Sequence, residues 1–276
     1  MHEISKSPKI TLLARLHGTP ILHTAVRILR IQQIVATVLA ILPIRRRLKK
    51  TDCEYRIRFL ESMLMADEIF NREIYHAAFE DREIHTFVDL GANVGYFTLY
   101  AAEHTGKKDL TALAVDADAK MADEVRWHVA KNGFTGTQVR TGVAGFPPGV
   151  SSATFFANPS NVAGSAQPIL NPNIPTKGKN VAVTVPTVDV AAEWKAIAGD
   201  KRIDLLKVDI EGFELELIRN STELLSLTDR IVLEWHKWVT SLDEIDTMLG
   251  ERGFVRAKVI SEDQHTGVAV FDRRHF

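Results

Sequence analysis

The sequence predicts an α/β fold: a doubly wound, Rossmann-like sheet that ends in an antiparallel hairpin and is preceded by a helical N-terminal extension. Three observations predict it. Thr86 to Ala101, TFVDLGANVGYFTLYA, reads as a buried strand, a glycine turn and the start of a helix, the first βα unit of such a sheet. Apolar strand-like runs and helix-period runs then alternate to the C-terminus. Finally, charge divides the chain. Residues 1 to 50 carry ten Lys or Arg against Glu3 alone, a net +9, while the remainder holds 24 basic and 34 acidic residues, a net −10. The first fifty residues therefore read as a unit apart from a domain over residues 51–276.

The 276 residues, 45% apolar, can bury one sizeable core. The single cysteine, Cys53, excludes an internal disulfide framework and fits a reducing compartment, so a cytoplasmic location is expected.

Within the extension, Ile31, Ile34 or Val35, Val38 and Ile41 or Leu42 recur at helical spacing, predicting an amphipathic helix over Thr24 to Ile44. The uncharged run from Ile34 to Ile44 is too short to span a bilayer, and it lacks the position and cleavage pattern of a signal peptide. Pro43 stops it, and Arg45-Arg46-Arg47-Leu48-Lys49-Lys50 follows. Such a helix folds onto its own acidic domain or onto a second subunit, which would make the protein a homo-oligomer. The alternative is peripheral contact of residues 24–50 with anionic lipid at the inner membrane face. A nucleic-acid partner is not expected, because the segment lacks aromatic residues.

From Glu54 to Asp81 the pattern is mostly helical, with Phe59, Met63, Ile69, Phe70 and Ile74 apolar; Glu68 and Tyr75 take core or helix-surface places. Phe87 to Leu90 is the first strand. The turn after it has only Gly91 and Gly95, whereas a dinucleotide fold places a third glycine where the pyrophosphate meets the helix. Asp89 beside the turn would repel a pyrophosphate and suits a ligand bearing an ammonium group, such as S-adenosylmethionine. Leu110 to Asp118 is the second strand, ending in acids placed to accept ribose hydroxyls. Asp116 is the expected ribose residue, with Asp118 as substitute or as N-cap of the helix Lys120 to Lys131, which Asn132-Gly133 closes.

Gln138 to Ala144 is the third strand, and the following Val143-Ala144-Gly145 offers a ligand only backbone. Residues 146 to 180 are irregular. Ala153 to Ala157 and Val181 to Val185 would pair as a hairpin around a loop whose Asn158, Asn161 and Ser165 could meet sugar hydroxyls. Ile203 to Gly212 is the fourth strand and Ile231 to His236 the fifth. Alternation sets Lys207, Asp209 and Glu211 on one side of the fourth, and Val232, Glu234 and His236 together on the fifth. Charges on a buried strand are costly unless paired or in use. Helices over Phe213 to Leu225 and Ser241 to Arg252, then a hairpin of Val255 to Ser261 with Thr266 to Asp272, complete the domain.

Taken together, VDLGANVGYFTLYAA, AVDAD, AKNGF, VPTVDV, DLLKVDIEGFELELI and IVLEWH resemble the successive blocks of the FkbM family of methyltransferases. The similarity runs from about Glu68 to about Phe254, and Lys207-Val-Asp-Ile-Glu-Gly212 is its most specific part. The resemblance implies a class I methyltransferase sheet, S-adenosylmethionine as cofactor, and O-methylation of a glycan, glycolipid or secondary metabolite. It implies cofactor contacts at Asp89, Gly91, Ala92, Asn93, Gly95, Tyr96, Phe97, Asp116 and Ala117. The family usually has Glu-Pro where this chain has Asp116-Ala117, which shortens the reach to the ribose.

Methyl transfer to an alcohol needs positioning of the acceptor oxygen and removal of its proton. His236 is the natural base, oriented by Glu234 or Asp209, either of which could itself be the base if burial raised its pKa; Lys207 neutralises one of these acids, and Glu211 completes the cluster. No metal is expected, since no tight ligand spacing demands one, although the same acids and imidazole could hold Mg²⁺ or Mn²⁺. A non-catalytic module that binds the cofactor without converting it is the reading from a different class. An N-methyltransferase would show an Asn/Asp-Pro-Pro-aromatic block where Asp209-Ile-Glu-Gly stands.

Overall fold

The computed structural model describes residues 31–157, 164–166 and 181–274. Helix α1 (Ile31–Ile41) leads into a small antiparallel hairpin, β1 (Ile44–Arg47) with β2 (Glu54–Ile57). A short helix α2 (Ser62–Ala66), a π turn (Asp67–Asn71) and a 3-10 turn (His76–Phe79) follow. The alternating part then runs β3 (Thr86–Leu90), α3 (Tyr96–Thr105), β4 (Thr111–Asp116), α4 (Ala119–Asn132) and β5 (Thr137–Thr141). A second hairpin, β6 (Ser152–Ala157) with β7 (Val181–Pro186), precedes α5 (Val190–Ala198) and β8 (Leu205–Val208). The chain closes with α6 (Glu214–Asn220), α7 (Thr222–Leu227), β9 (Arg230–His236), α8 (Leu242–Glu251), β10 (Phe254–Glu262) and β11 (Thr266–Arg273).

Seven strands form the central sheet in the order β10-β11-β9-β8-β3-β4-β5. The five strands from β9 to the edge strand β5 are mutually parallel, while β11 pairs antiparallel with both β9 and β10. This is the predicted mixed class I arrangement. The first, fourth and fifth predicted strands lie side by side as β3, β8 and β9, so their carboxyl ends meet. Strand period sorts the core into two layers. Phe87, Leu205 and Val232 face α3 and the N-terminal elements, whereas Val88, Leu206 and Leu233 face the layer built around Trp194 and Trp235.

The structure departs from the predicted pattern at several points. Glu54 to Ile57 is a strand, because Tyr55 and Ile57 bury while Glu54 is held at its backbone N–H by Asn132 and at its side chain by Arg45. The basic cluster is likewise partly a strand, and the β1–β2 pairing joins residues on both sides of position 50. The helix predicted over Phe213 to Leu225 is two helices, broken at Ser221, whose φ of −109° and ψ of 47° leave the helical region. The fourth strand ends at Val208, four residues short of the predicted end, and Glu211 sits at φ 52°. Among the described residues no helix is long and apolar enough to cross a membrane. Asn158, Asn161 and residues 24–30 lie outside the described residues.

Candidate active site

Two clefts open at the carboxyl end of the sheet, on either side of the glycine turn. The first, about 780 Å³, is lined by Gly91, Asn93, Asp116, Ala117, Met121, Gly142, Val143 and Phe155, with Asp209 and Glu211 at its far end. Gly91 has φ +72°, and a Cβ there would lie 1.7 Å from the Asp209 carbonyl oxygen, so only glycine lets the two turns meet. The N–H groups of Gly91 and Ala92 both donate to the Val115 carbonyl, 3.0 Å each. Asp116 ties the turns together: one carboxylate oxygen accepts from the Asn93 N–H at 2.7 Å, the other from the Asp118 N–H at 2.8 Å. Burial outweighs these bonds and pushes its pKa up to about 7. Asp118 caps α4 by accepting from the Lys120 N–H. Gly95, at φ 84°, precedes α3 and packs on Val125 rather than lining either cleft.

The second cleft, about 970 Å³, lies on the face of the N-terminal elements. Met65, Glu68, Ile69 and Tyr75 form one wall, and Ala92, Tyr96 and Phe97 another. Lys207, Asp209, Glu211, Glu234, His236 and Trp238 complete it. Gly91, Asn93, Asp209 and Glu211 belong to both clefts, so the two chambers share a wall at the end of β8.

Within this wall each charged group has a distinct partner. Lys207, 3% exposed, donates to the Leu90 and Gly91 carbonyls at 3.2 and 2.6 Å and lies 3.4 Å from both Asp89 and Asp209. Burial disfavours its ammonium, but the charges of Asp209, Asp89 and Glu234 prevail and hold its pKa above that of an ordinary lysine. Asp89, fully buried, accepts from the Thr98 hydroxyl at 3.0 Å and lines neither cleft. His236 Nδ1 lies 2.9 Å from Glu214 Oε1, which also accepts the Gly212 N–H at 3.0 Å. Because a carboxylate only accepts, the proton sits on Nδ1. Nε2 faces Glu211 at 3.5 Å, and the imidazole packs on Trp238 with ring centres 4.5 Å apart.

The acids outnumber the cations, and burial makes the surplus felt. Desolvation would lower His236, but the bond and charge of Glu214, with Glu211 and Asp209 behind, raise its pKa to about 10. Desolvation and then the Asp209 charge lift Glu234 to about 8. Glu211 rises well above the usual range, chiefly by burial, and Glu68 also moves up. Donor atoms of Asp209, Glu234 and His236 lie within 4.8 Å of one another, close enough to hold a cation.

The predicted catalytic residues are thus brought together. Asp89, expected at the cofactor, lines neither cleft and lies against Lys207 beneath the glycine turn. Ala92, Tyr96 and Phe97 line the second cleft rather than the first. Glu214 was not singled out from the sequence, where it stands among Glu211, Glu214 and Glu216 with nothing to distinguish it. Ser165 donates to the Glu211 carbonyl at 2.7 Å, which fixes the turn after β8.

A family model described as Methyltransferase FkbM domain matches residues 89–256, more than half of the chain. The chain belongs to the FkbM methyltransferase family. A putative methyltransferase of Jannaschia sp. (strain CCS1) is 31% identical over 139 residues, 49% of this chain, and the chain spans 49% of that relative's length. Methyltransferase sdnD of Sordaria araneosa is 28% identical over 228 residues, 72% of this chain and 85% of that protein. Among solved structures, M. capricolum TrmK with S-adenosyl-homocysteine superposes at TM-score 0.43 and 15% identity over 74% of this chain and 69% of its own. M. jannaschii TYW2 with AdoMet gives TM-score 0.44 at 14% identity over 84% and 87%.

Family membership carries S-adenosylmethionine as methyl donor, and the residues present fit it. Each Asp116 oxygen keeps a lone pair for a ribose hydroxyl beyond the N–H it already accepts. Met121, Val143 and Phe155 supply apolar walls for a base. The acids shared by the two clefts lie where a cationic sulfonium and ammonium would be welcome.

Proposed function

We propose that this chain is an O-methyltransferase that moves the methyl group of S-adenosylmethionine onto a hydroxyl of a glycan, glycolipid or secondary metabolite. The observation that carries the reading is the shared wall: a donor cleft and an acceptor cleft meet at Gly91, Asn93, Asp209 and Glu211. When bound, the cofactor supplies a methyl group on a sulfonium, which leaves with its bonding electrons returned to sulfur. The protein's share is to hold the acceptor oxygen in line and take its proton.

Glu234 is the proposed proton acceptor. His236, raised to about 10, is already an imidazolium near neutrality and has no lone pair to offer. Glu234, at about 8, titrates in the working range and lines the acceptor cleft. In this assignment the expected roles are exchanged. His236 becomes a fixed cation held between Glu214 and Glu211, while Lys207 braces Asp209 against Asp89 and the glycine turn. The hydroxyl loses its proton to Glu234 as its oxygen bonds to the methyl carbon, so charge balances within the cleft.

The test is transfer of labelled methyl from the cofactor to fractionated glycan, glycolipid and metabolite pools across pH, with and without chelator. A rate that climbs through about pH 8 and survives chelation supports Glu234; a climb only near pH 10 returns the role to His236. Loss on chelation with recovery in Mg²⁺ or Mn²⁺ would make Asp209, Glu234 and His236 a cation site. Cofactor binding with no transfer to any pool would make the chain a binding module.

A further inference from the structure

Among the described residues, helix α1 leaves large aliphatic side chains uncovered. Leu39 is buried and Val35 packs partly against the core, so one narrow edge attaches the helix to the body. Ile34, Val38 and Ile41 recur at i, i+4 and i+7, and Leu42 follows directly. They are 60%, 50%, 72% and 71% exposed. Four large aliphatic side chains on one continuous stripe are not the scattered exposure that ordinary surfaces show.

The charge around the stripe narrows what can cover it. From Ile4 to Lys50 there is no acidic residue at all. Arg27 and Arg30 precede the stripe in sequence, and Arg45, Arg46, Arg47, Lys49 and Lys50 follow it. Asp52 and Glu54 pair with Arg47 and Arg45, and Glu103 accepts from the Lys50 and Thr51 N–H groups, but both arginine side chains remain 58% exposed. A second copy is a poor partner. A two-fold interface sets the same patch against itself, and since the stripe is flanked in sequence by basic residues on both sides, self-association would concentrate positive charge at the contact. An apolar stripe flanked by cations matches instead the boundary of a bilayer, where acyl chains take the side chains and anionic head groups take the charge.

We infer that α1 with β1 is a docking surface for anionic membrane, holding the enzyme peripherally rather than spanning it. The helix is tied to the body where Arg58 Nε donates to the Ala40 carbonyl at 3.3 Å. The chain that carries Arg58 continues into α2 and the π turn, whose Met65, Glu68 and Ile69 wall the acceptor cleft. The membrane anchor and that cleft wall therefore belong to one stretch of chain.

The test uses the full chain in flotation with two vesicle populations, phosphatidylcholine alone and phosphatidylcholine with about 30 mol% phosphatidylserine. The inference expects binding to the second, little to the first, and release as salt is raised. Val38→Gln/Ile41→Gln/Leu42→Gln, all exposed, should lose about tenfold or more in vesicle affinity while melting temperature and transfer to a soluble acceptor stay unchanged. Arg46→Glu should weaken binding to the anionic vesicles only. Equal binding by wild type and triple variant overturns the inference. So does failure of the wild type to bind either vesicle, whether a second copy or residues 1–30 cover the face. A dimer dissociated by the triple substitution, without vesicle binding, would assign the stripe to a copy interface and equally overturn it.

Discussion

Two buried ionic clusters, on the same side of the sheet, have opposite balances. In the first, beneath the β1–β2 hairpin, Glu124 meets Arg56 Nε and Nη2 at 2.7 and 2.9 Å and Arg58 Nη1 at 2.8 Å. His128 beside it lies between backbone groups: its Nδ1 is 2.8 Å from the Val94 carbonyl and its Nε2 accepts the Arg56 N–H at 3.1 Å. It is neutral, with burial chiefly responsible for a pKa lowered to about 4. In the second, at the ends of β8 and β9, Asp89, Asp209, Glu211, Glu214 and Glu234 surround, among the described residues, the two cations Lys207 and His236, and the histidine moves the other way, to about 10. Burial is common to both histidines; the sign of the shift comes from what each can pair with. A closed cluster holds structure. An acid-rich one beside a cleft keeps a carboxylate near its titration point and is suited to proton transfer.

Removing a carboxylate should therefore do different things in the two places. The largest effect is expected from Glu234→Gln, which should lower kcat by roughly 10²–10⁴ with the melting temperature and cofactor affinity nearly unchanged. A full-rate variant would remove Glu234 from the reaction. Next comes Glu124→Ala, which strands two guanidinium groups. It should cost stability, with about 3–5 kcal/mol as an upper range for a buried pair, tending to the low end because Arg58 is 41% exposed. Denaturant unfolding measures it, and the rate per folded molecule should persist.

The two clusters also differ in how far the sequence announced them. Lys207, Asp209, Glu211, Glu234 and His236 stood out because strand alternation aligned charges where a buried strand should be apolar. The strands themselves were legible as apolar runs, whereas their order in the sheet and the terminal hairpin came from the resemblance to the methyltransferase fold. Glu124 lies in a helix with ordinary charge density, and its partners Arg56 and Arg58 fall in a stretch whose apolar spacing imitated a helix. Only the tertiary pairing of β2 with β1, and its seat against α4, brings those three together. Glu214 was hidden for a related reason. The left-handed Glu211 and Gly212 turn the chain back so that the first residue of α6 meets the last of β9, a reversal that no periodicity encodes.

That reversal gives a smaller effect to look for. Glu214→Gln keeps the shape but removes the charge that most favours the His236 imidazolium, so the imidazole pKa should fall by about one unit or more, read by NMR titration. If His236 acts as a fixed cation, kcat should fall with little change in KM as pH rises through the lowered imidazole pKa, where the variant's imidazolium discharges before the wild type's. An unmoved imidazole pKa would show that Glu211 and Asp209 suffice without Glu214.

The smallest expected signal lies in stability against pH, where the two histidines act at opposite ends. His236 is raised in the folded state from 6.5 to about 10, so its stabilisation is complete below about pH 6.5 and is lost as pH rises through 10. Asp116 and Glu234, raised from 3.8 to about 7 and from 4.5 to about 8, also lose their contribution as pH rises, but between those values, so of the two mainly Glu234 overlaps the start of the His236 limb. His128 is lowered from 6.5 to about 4, so its contribution is present above 6.5 and is lost as pH falls toward 4. Melting curves of His128→Gln and Glu214→Gln against wild type should separate the two. The first difference should vary with pH only below about 6.5, because both folded and unfolded His128 are neutral above it. The second should vary in the alkaline range, where the variant's folded imidazole discharges before the wild type's. A single pH dependence shared by both variants would mean that the clusters titrate as one, and the contrast between them would fail.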